Sequence, residues 1–74
     1  MSKSVADLRL IAASGGGMIL DGASFSTADL RLIAASASGK GAQILLRNAS
    51  SKSTADLRLI AASGGGCVAF DFMT

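Results

Sequence analysis

The sequence predicts a small α/β protein, in which three consecutive αβ repeats build a parallel sheet with helices packed on it. A nine-residue segment, ADLRLIAAS, occurs three times without change, at 6–14, 28–36 and 55–63. Each copy is followed by small residues and glycine, and then by a short apolar run. Since helices and strands alternate, crossover connections must join the strands, and such connections pair strands in parallel.

The repeated segment is predicted to be a helix. Its interior is rich in Ala, Leu and Arg, which favour helix. Ser26 and Asp29 are spaced as in a capping box, in which Ser is the N-cap and the acidic residue lies near the positive end of the helix dipole. Glycine after each copy suits a left-handed residue at the helix end. Asp-Leu-Arg-Leu also alternates like a strand, but the signals at both ends and the Ala-Ala pair favour helix.

Short runs with strand character follow the helices, at 18–20, 43–46 and 67–72. In the middle run Ile44 and Leu46 share one face and Leu45 lies on the other, so both faces are apolar. Parallel strands have this pattern because both of their faces are normally covered. If the strands lie in chain order, right-handed crossovers place the second and third helices on the same face of the sheet.

The other face then needs a cover. The first helix could cross over to it, but one helix can hardly cover three strands. A second copy of the chain is therefore expected to complete the fold, through stacked sheets, a ring or closure into a barrel.

The chain of 74 residues is expected to form one domain, 1–74, with repeat units at about 4–25, 26–52 and 53–74. Domains this small usually need a disulfide, a metal or self-association for stability. Cys67 is the only cysteine and His is absent, which excludes an intrachain disulfide and argues against a zinc site. Cys67 is interpreted as a small apolar core residue.

Self-association is the main functional hypothesis. On a helical wheel each copy has a main apolar stripe and a smaller, nearly opposite one that includes its second leucine. The last strand lacks the Lys or Pro that protect strand edges, and no polar capping unit ends the array. The leucines could instead pack between helices within one molecule or be tolerated on the surface. The candidate interface residues are Leu10, Leu32, Leu59, Val68, Phe70 and Phe72.

The identity of the copies suggests how molecules would join. If unit 1 packs on unit 2 and unit 2 on unit 3, unit 3 offers nearly the same surface to unit 1 of another molecule. Such head-to-tail contacts close into rings or continue as filaments. Identical copies also result from recent duplication or deliberate design, so a designed repeat protein without natural function is a further alternative.

The loop before the third helix provides the alternative functional site. Arg47, Lys52 and Ser53 lie there with other hydroxyl groups at a helix N-terminus, which suits an anion such as RNA or a phosphate group. The alternative interpretation of these residues is an ordinary polar loop that binds no ligand. Arg47 and Ser51 occupy the positions where a phosphate-binding P-loop has glycine, which argues against a nucleotide site.

Residues for catalysis are scarce, because His, Glu and Tyr are all absent and no base is present to activate serine. We expect no enzyme activity, no cofactor, no metal and no small-molecule substrate. Asp21 and Asp71, near strand ends, could pair with Arg47 or with an arginine of a neighbouring copy.

The predicted partner is a second copy of the chain. The net charge of +2 comes from dispersed basic residues, so nucleic acid is a less favoured partner. No apolar run approaches the ~20 residues that span a membrane. Residues 1–10 lack an apolar leader-like run, and we expect a soluble, cytoplasmic protein.

Overall fold

A computed structural model describes residues 4–73 of the chain. Helices and strands alternate as predicted, and the three strands form one parallel sheet. In chain order the elements are α1 (Val5–Ala13), β1 (Met18–Asp21), α2 (Thr27–Ala37), β2 (Ile44–Arg47), a 3₁₀ turn (Ala49–Ser51), α3 (Thr54–Gly64) and β3 (Val68–Phe70).

All three helices begin with the same N-cap. The hydroxyls of Ser4, Ser26 and Ser53 accept hydrogen bonds from the backbone N–H of the aspartate three residues later, at 3.2, 3.1 and 3.2 Å. Gly15 and Gly65, after α1 and α3, have φ of 92° and 60°, in the left-handed region. The predicted cap of Ser26 with Asp29 and the glycine ends of α1 and α3 are thus confirmed, whereas the C-cap of α2 is Ser38 in extended backbone.

The strands lie in the order β1-β2-β3. Met18 pairs with Ile44, and Ile44 with Val68, so the register continues without a shift across the sheet. β3 is shorter than the predicted run 67–72, and the thiol of Cys67, just before it, lies in the core. There Sγ lies 3.7 Å from the carbonyl oxygen of Ala34, which confirms Cys67 as a core residue.

The helices pack on one face of the sheet, and α2 lies between α1 and α3. α1 therefore does not cross to the opposite face, and the molecule has two layers. The core is formed by the buried side chains of these two layers: Leu8, Ala12, Leu20, Leu30, Ile33, Ala34, Ala37, Ala42, Ile44, Leu46, Ile60 and Cys67.

Candidate self-association surfaces

The sheet face opposite the helices is uncovered, and we call it the open sheet face. Its central row consists of Ile19, Leu45 and Ala69, which are Cα partners across the three strands. Ile19 is 65% exposed; Ala69 is exposed and Leu45 is half-buried. These side chains line a shallow depression of about 570 Å³. An apolar row therefore faces solvent on a parallel sheet, a type of sheet that is normally covered on both faces.

Charged side chains border the open sheet face at the carboxyl ends of the strands. Asp21 is the Cα partner of Arg47, and Arg47 Nε lies 3.6 Å from Asp71 Oδ2. The pairing of Arg47 with Asp71 is one of those that the sequence allowed, whereas within residues 4–73 Asp21 forms no ion pair with Arg47 and accepts hydrogen bonds instead. The Arg47 side chain is 54% exposed, so solvent weakens the ion pair.

The helix backs form a second apolar surface, on the opposite side of the molecule. Leu10, Leu32 and Leu59 are 69%, 44% and 45% exposed there. Each lies in a shallow depression together with the arginine and alanines of its own repeat. Each of the three leucines is at least 44% exposed, so none is fully packed between helices.

The candidate residues of the last strand lie elsewhere, at the edge of the sheet. Val68 and Phe70 are half-buried and pack against the core on the helix side. Phe72 follows β3, is 57% exposed and stacks on Phe70, with ring centroids 6.0 Å apart. Since β3 pairs only with β2 within residues 4–73, these residues border a strand edge that no other described strand covers.

One side-chain pair recurs between neighbouring helices. Arg9 Nε donates to Ser36 Oγ at 3.2 Å, and Arg31 Nε donates to Ser63 Oγ at 3.4 Å. In both pairs the arginine is the fourth residue of one copy and the serine is the ninth residue of the next. The arginine–serine contact between α1 and α2 is therefore found again between α2 and α3.

The residues predicted to bind an anion are engaged within the chain or partly covered. Arg47 faces the carboxylate of Asp71, and Ser53 caps α3 by accepting from the N–H of Asp56. Lys52 is half-buried at the end of the 3₁₀ turn. No contact within residues 4–73 joins these three side chains into one site.

Asp21 ties the loop after β1 to the loop after β2. Its carboxylate accepts hydrogen bonds from Asn48 Nδ2 at 2.9 Å, from the Ala23 N–H at 2.9 Å and from the Ser24 hydroxyl at 3.1 Å. These bonds, that of Asn48 foremost, hold the pKa of Asp21 below its ordinary value of 3.8. A carboxylate is thus kept ionised at this end of the sheet, where the sequence predicts an anion site.

Ile19, Leu45 and Ala69 are not among the interface residues predicted from the sequence. The alternation of side chains along a strand places Leu45 on one face of the sheet and Ile44 and Leu46 on the other face. It does not tell which of the two faces the helices leave open, because that depends on the path of the chain between the strands.

Within residues 4–73 no helix has the length and apolar character needed to cross a membrane. The same residues contain no group of three or more His, Cys, Asp or Glu that could hold a metal ion. Comparison with protein-family models, curated proteins and solved structures found no match for the chain.

Proposed function

We propose that this protein is a structural or interaction protein that assembles with copies of itself and has no catalytic activity. The observation that carries the proposal is the open sheet face, where Ile19, Leu45 and Ala69 form an exposed apolar row. Removing apolar surface from water stabilises a complex by roughly 25 cal/mol per Å². A partner surface of apolar character is therefore the natural cover for this face.

A second copy of the chain is the proposed cover. The molecule is small, its helices stabilise only one face of its sheet, and it has no disulfide to compensate. Stacking of two open sheet faces or closure of several sheets into a barrel would each bury the row. The repeated units then act as building blocks of an assembly.

Absolute mass in solution tests the proposal directly. It is measured by light scattering after size exclusion, over a wide range of concentrations. Refractive index serves as the concentration signal, because the chain lacks Trp and Tyr. We expect a mass above that of the 7.3 kDa monomer. With rising concentration it should reach a fixed multiple of the monomer mass if the assembly is closed, or keep increasing if the assembly is a filament.

Two lysine variants locate the interface. Ile19→Lys places a charge in the apolar row and should raise the dissociation constant at least ~10-fold, which corresponds to about 1.4 kcal/mol. Ala23→Lys adds the same charge in an exposed loop and should leave the mass unchanged. Leu32→Lys probes the helix backs in the same way. A mass that stays monomeric at every concentration would contradict the proposal.

The alternative of an anionic partner at Arg47, Lys52 and Ser53 has less support. Arg47 already faces a carboxylate, and Ser53 already caps a helix. No observation at this loop favours it over self-assembly.

A further inference from the structure

Identical residues of the repeat are buried to different extents in the three helices. Ile33 and Ile60 are 0% and 1% exposed, whereas Ile11, the same residue of the repeat, is 41% exposed. Among the described residues, α1 and α3 each have α2 as their one closely packed neighbouring helix. The isoleucine is buried on α3, whose neighbour α2 comes before it in the chain. It is exposed on α1, whose neighbour α2 comes after it in the chain. This side chain therefore lies on the side of the preceding unit.

The first leucine of the repeat shows the opposite trend. Leu8 and Leu30 are 8% and 2% exposed, and both have a following unit. Leu57 has none and is only half-buried. This leucine therefore lies on the side of the following unit. At the outer side of α3 the leucine Leu57 has no helix to pack against, and at the outer side of α1 the isoleucine Ile11 has none within the described residues. The two open sides are the two halves of one helix-to-helix contact.

The polar contact between helices is incomplete at the same two ends. Arg58 corresponds to the arginines that donate to the next helix, and within residues 4–73 it makes no hydrogen bond or ion pair. Ser14 corresponds to the accepting serines. Its hydroxyl donates to the Leu10 carbonyl at 3.0 Å, as the other serines do in their helices, and accepts from no arginine of the described chain.

The backbone of the sheet also repeats its contacts. The Met18 N–H donates to the Gln43 carbonyl at 2.9 Å, and the Ile44 N–H donates to the Cys67 carbonyl at 2.9 Å. In each case the first residue of a strand donates to the residue that precedes the next strand. The register of the three strands is accordingly the same at both pairings.

A third hydrogen bond of this kind would need the N–H of Val68 as donor and the carbonyl of Gly17 as acceptor. These two groups lie at the two outer edges of the sheet. The Cys67 carbonyl points toward β2, so the N–H of Val68, in the same trans peptide, points away from it. The Met18 N–H also points toward β2, so the carbonyl of Gly17 points away. One edge thus offers the donor and the other edge the acceptor of one more identical hydrogen bond.

We propose, as a refinement that rests on the self-assembly proposed above, that copies of this chain join head to tail. β3 of one copy pairs in parallel with β1 of the next, with Val68 opposite Met18, Ala69 opposite Ile19 and Phe70 opposite Leu20. In the helix layer α3 packs beside α1 of the next copy, and Arg58 donates to its Ser14. The junction is then a third copy of the contact found twice within the chain.

One feature makes this junction weaker than the internal contacts. Asp21 is the Cα partner of Arg47 within the chain, and Arg47 forms an ion pair with Asp71. The proposed register places Asp71 opposite Asp21 of the next copy, and like charges directly opposite each other destabilise a strand pair. Asp71→Asn removes this repulsion.

Disulfide trapping tests the register. Neighbouring strands lie about 4.8 Å apart, within the Cα separation that a disulfide bridges. In a Cys67→Ala background, Ile19→Cys and isotope-labelled Ala69→Cys are mixed and oxidised with diamide. The double variant Ile19→Cys with Leu45→Cys is the positive control, because these residues are Cα partners within one chain.

We expect disulfide dimers that contain one chain of each type, and none from either variant alone. Dimers of Ala69→Cys with itself, or of Ile19→Cys with itself, would indicate symmetric pairing and overturn the proposal. If Cys67→Ala does not fold, the experiment is repeated with Cys67 retained, and peptide mapping identifies the linked residues. Cys67 is buried in the folded chain.

The mass measurement separates the two proposals. An oligomeric mass without a bond between residues 19 and 69 overturns the head-to-tail junction and leaves self-assembly standing. A monomeric mass at all concentrations overturns both. With head-to-tail pairing, Asp71→Asn should tighten association about 1.5- to 5-fold, whereas Asp29→Asn, on the central helix, should not. Unchanged or weaker association of Asp71→Asn contradicts this register.

Discussion

Asp21 shows how one side chain fixes the ends of two strands. Its carboxylate accepts one hydrogen bond from Asn48, across the loops, and two from its own loop. Asn48 has a φ of 56°, a backbone conformation that Asn and Gly adopt more readily than other residues. The link between the two loops therefore depends on the side chain of Asn48 and on its backbone.

We predict that Asn48→Gly raises the pKa of Asp21 toward its ordinary value of 3.8, since the largest cause of the lowered pKa is removed. Glycine keeps the left-handed backbone, so the variant changes mainly the hydrogen bond. Carbon-13 NMR titration of the carboxyl groups measures the pKa. An Asp21 pKa that is the same in both proteins would contradict this prediction.

The lowered pKa also has a consequence for stability. Because the folded protein favours the charged carboxylate, the stabilising contribution is fully present above the ordinary pKa of 3.8 and is lost as the pH falls through the folded pKa. The free energy of unfolding should therefore decrease on acidification in this window. The decrease should be smaller in Asn48→Gly.

At the scale of the element, three helices with the same nine residues occupy unequal environments. α2 has a helix on each side, whereas α1 and α3 are at the ends of the layer. The same isoleucine is consequently buried at Ile33 and 41% exposed at Ile11. The repeated residues and the serine N-cap are the same in all three helices, so the different burial of this isoleucine comes from its packing.

We predict that Ile33→Ala lowers the free energy of unfolding by about 2–5 kcal/mol, because it leaves a cavity in the core. Ile11→Ala is the matched control, and should cost less than about 1 kcal/mol in the monomer. Urea unfolding followed by circular dichroism, at a concentration too low for assembly, measures both values. Equal losses would show that α1 packs as α2 does.

At the scale of the whole molecule, apolar contacts and charge contacts respond differently to salt. The open sheet face and the helix backs are apolar, whereas a site for RNA would depend on Arg47 and Lys52. Association through apolar surfaces should not weaken as the salt concentration rises. Binding of a nucleic acid falls steeply with salt because counterions are released.

We predict that the mass in solution is unchanged or higher at high salt, and that Arg47→Ala with Lys52→Ala leaves it unchanged. Fluorescence anisotropy of a labelled single-stranded RNA tests the alternative in the same samples. Salt-sensitive RNA binding that this double variant abolishes would support the anion-binding hypothesis against the one proposed here.

Local patterns in the sequence determine the helices, the strands and their parallel pairing. A serine cap and an aspartate lie three residues apart, and a glycine ends a helix within one turn, so these signals can be recognised in any copy. Chain order and right-handed crossovers also place α2 and α3 on one face. The length of β3 is an exception, since the apolar run 67–72 forms a strand only at Val68–Phe70.

Only the tertiary structure decided the position of α1. No strand precedes it within the described residues, so the rule for crossovers does not apply, and either face of the sheet was open to it. Its packing beside α2 leaves Ile19, Leu45 and Ala69 uncovered and Ile11 half-packed. The sequence by itself determined what each unit is, because caps and periodicity act over a few residues. Which surfaces remain exposed depends on contacts between helices and strands that are distant in the chain. Three identical segments cannot by themselves specify that one copy of a residue is buried and another exposed.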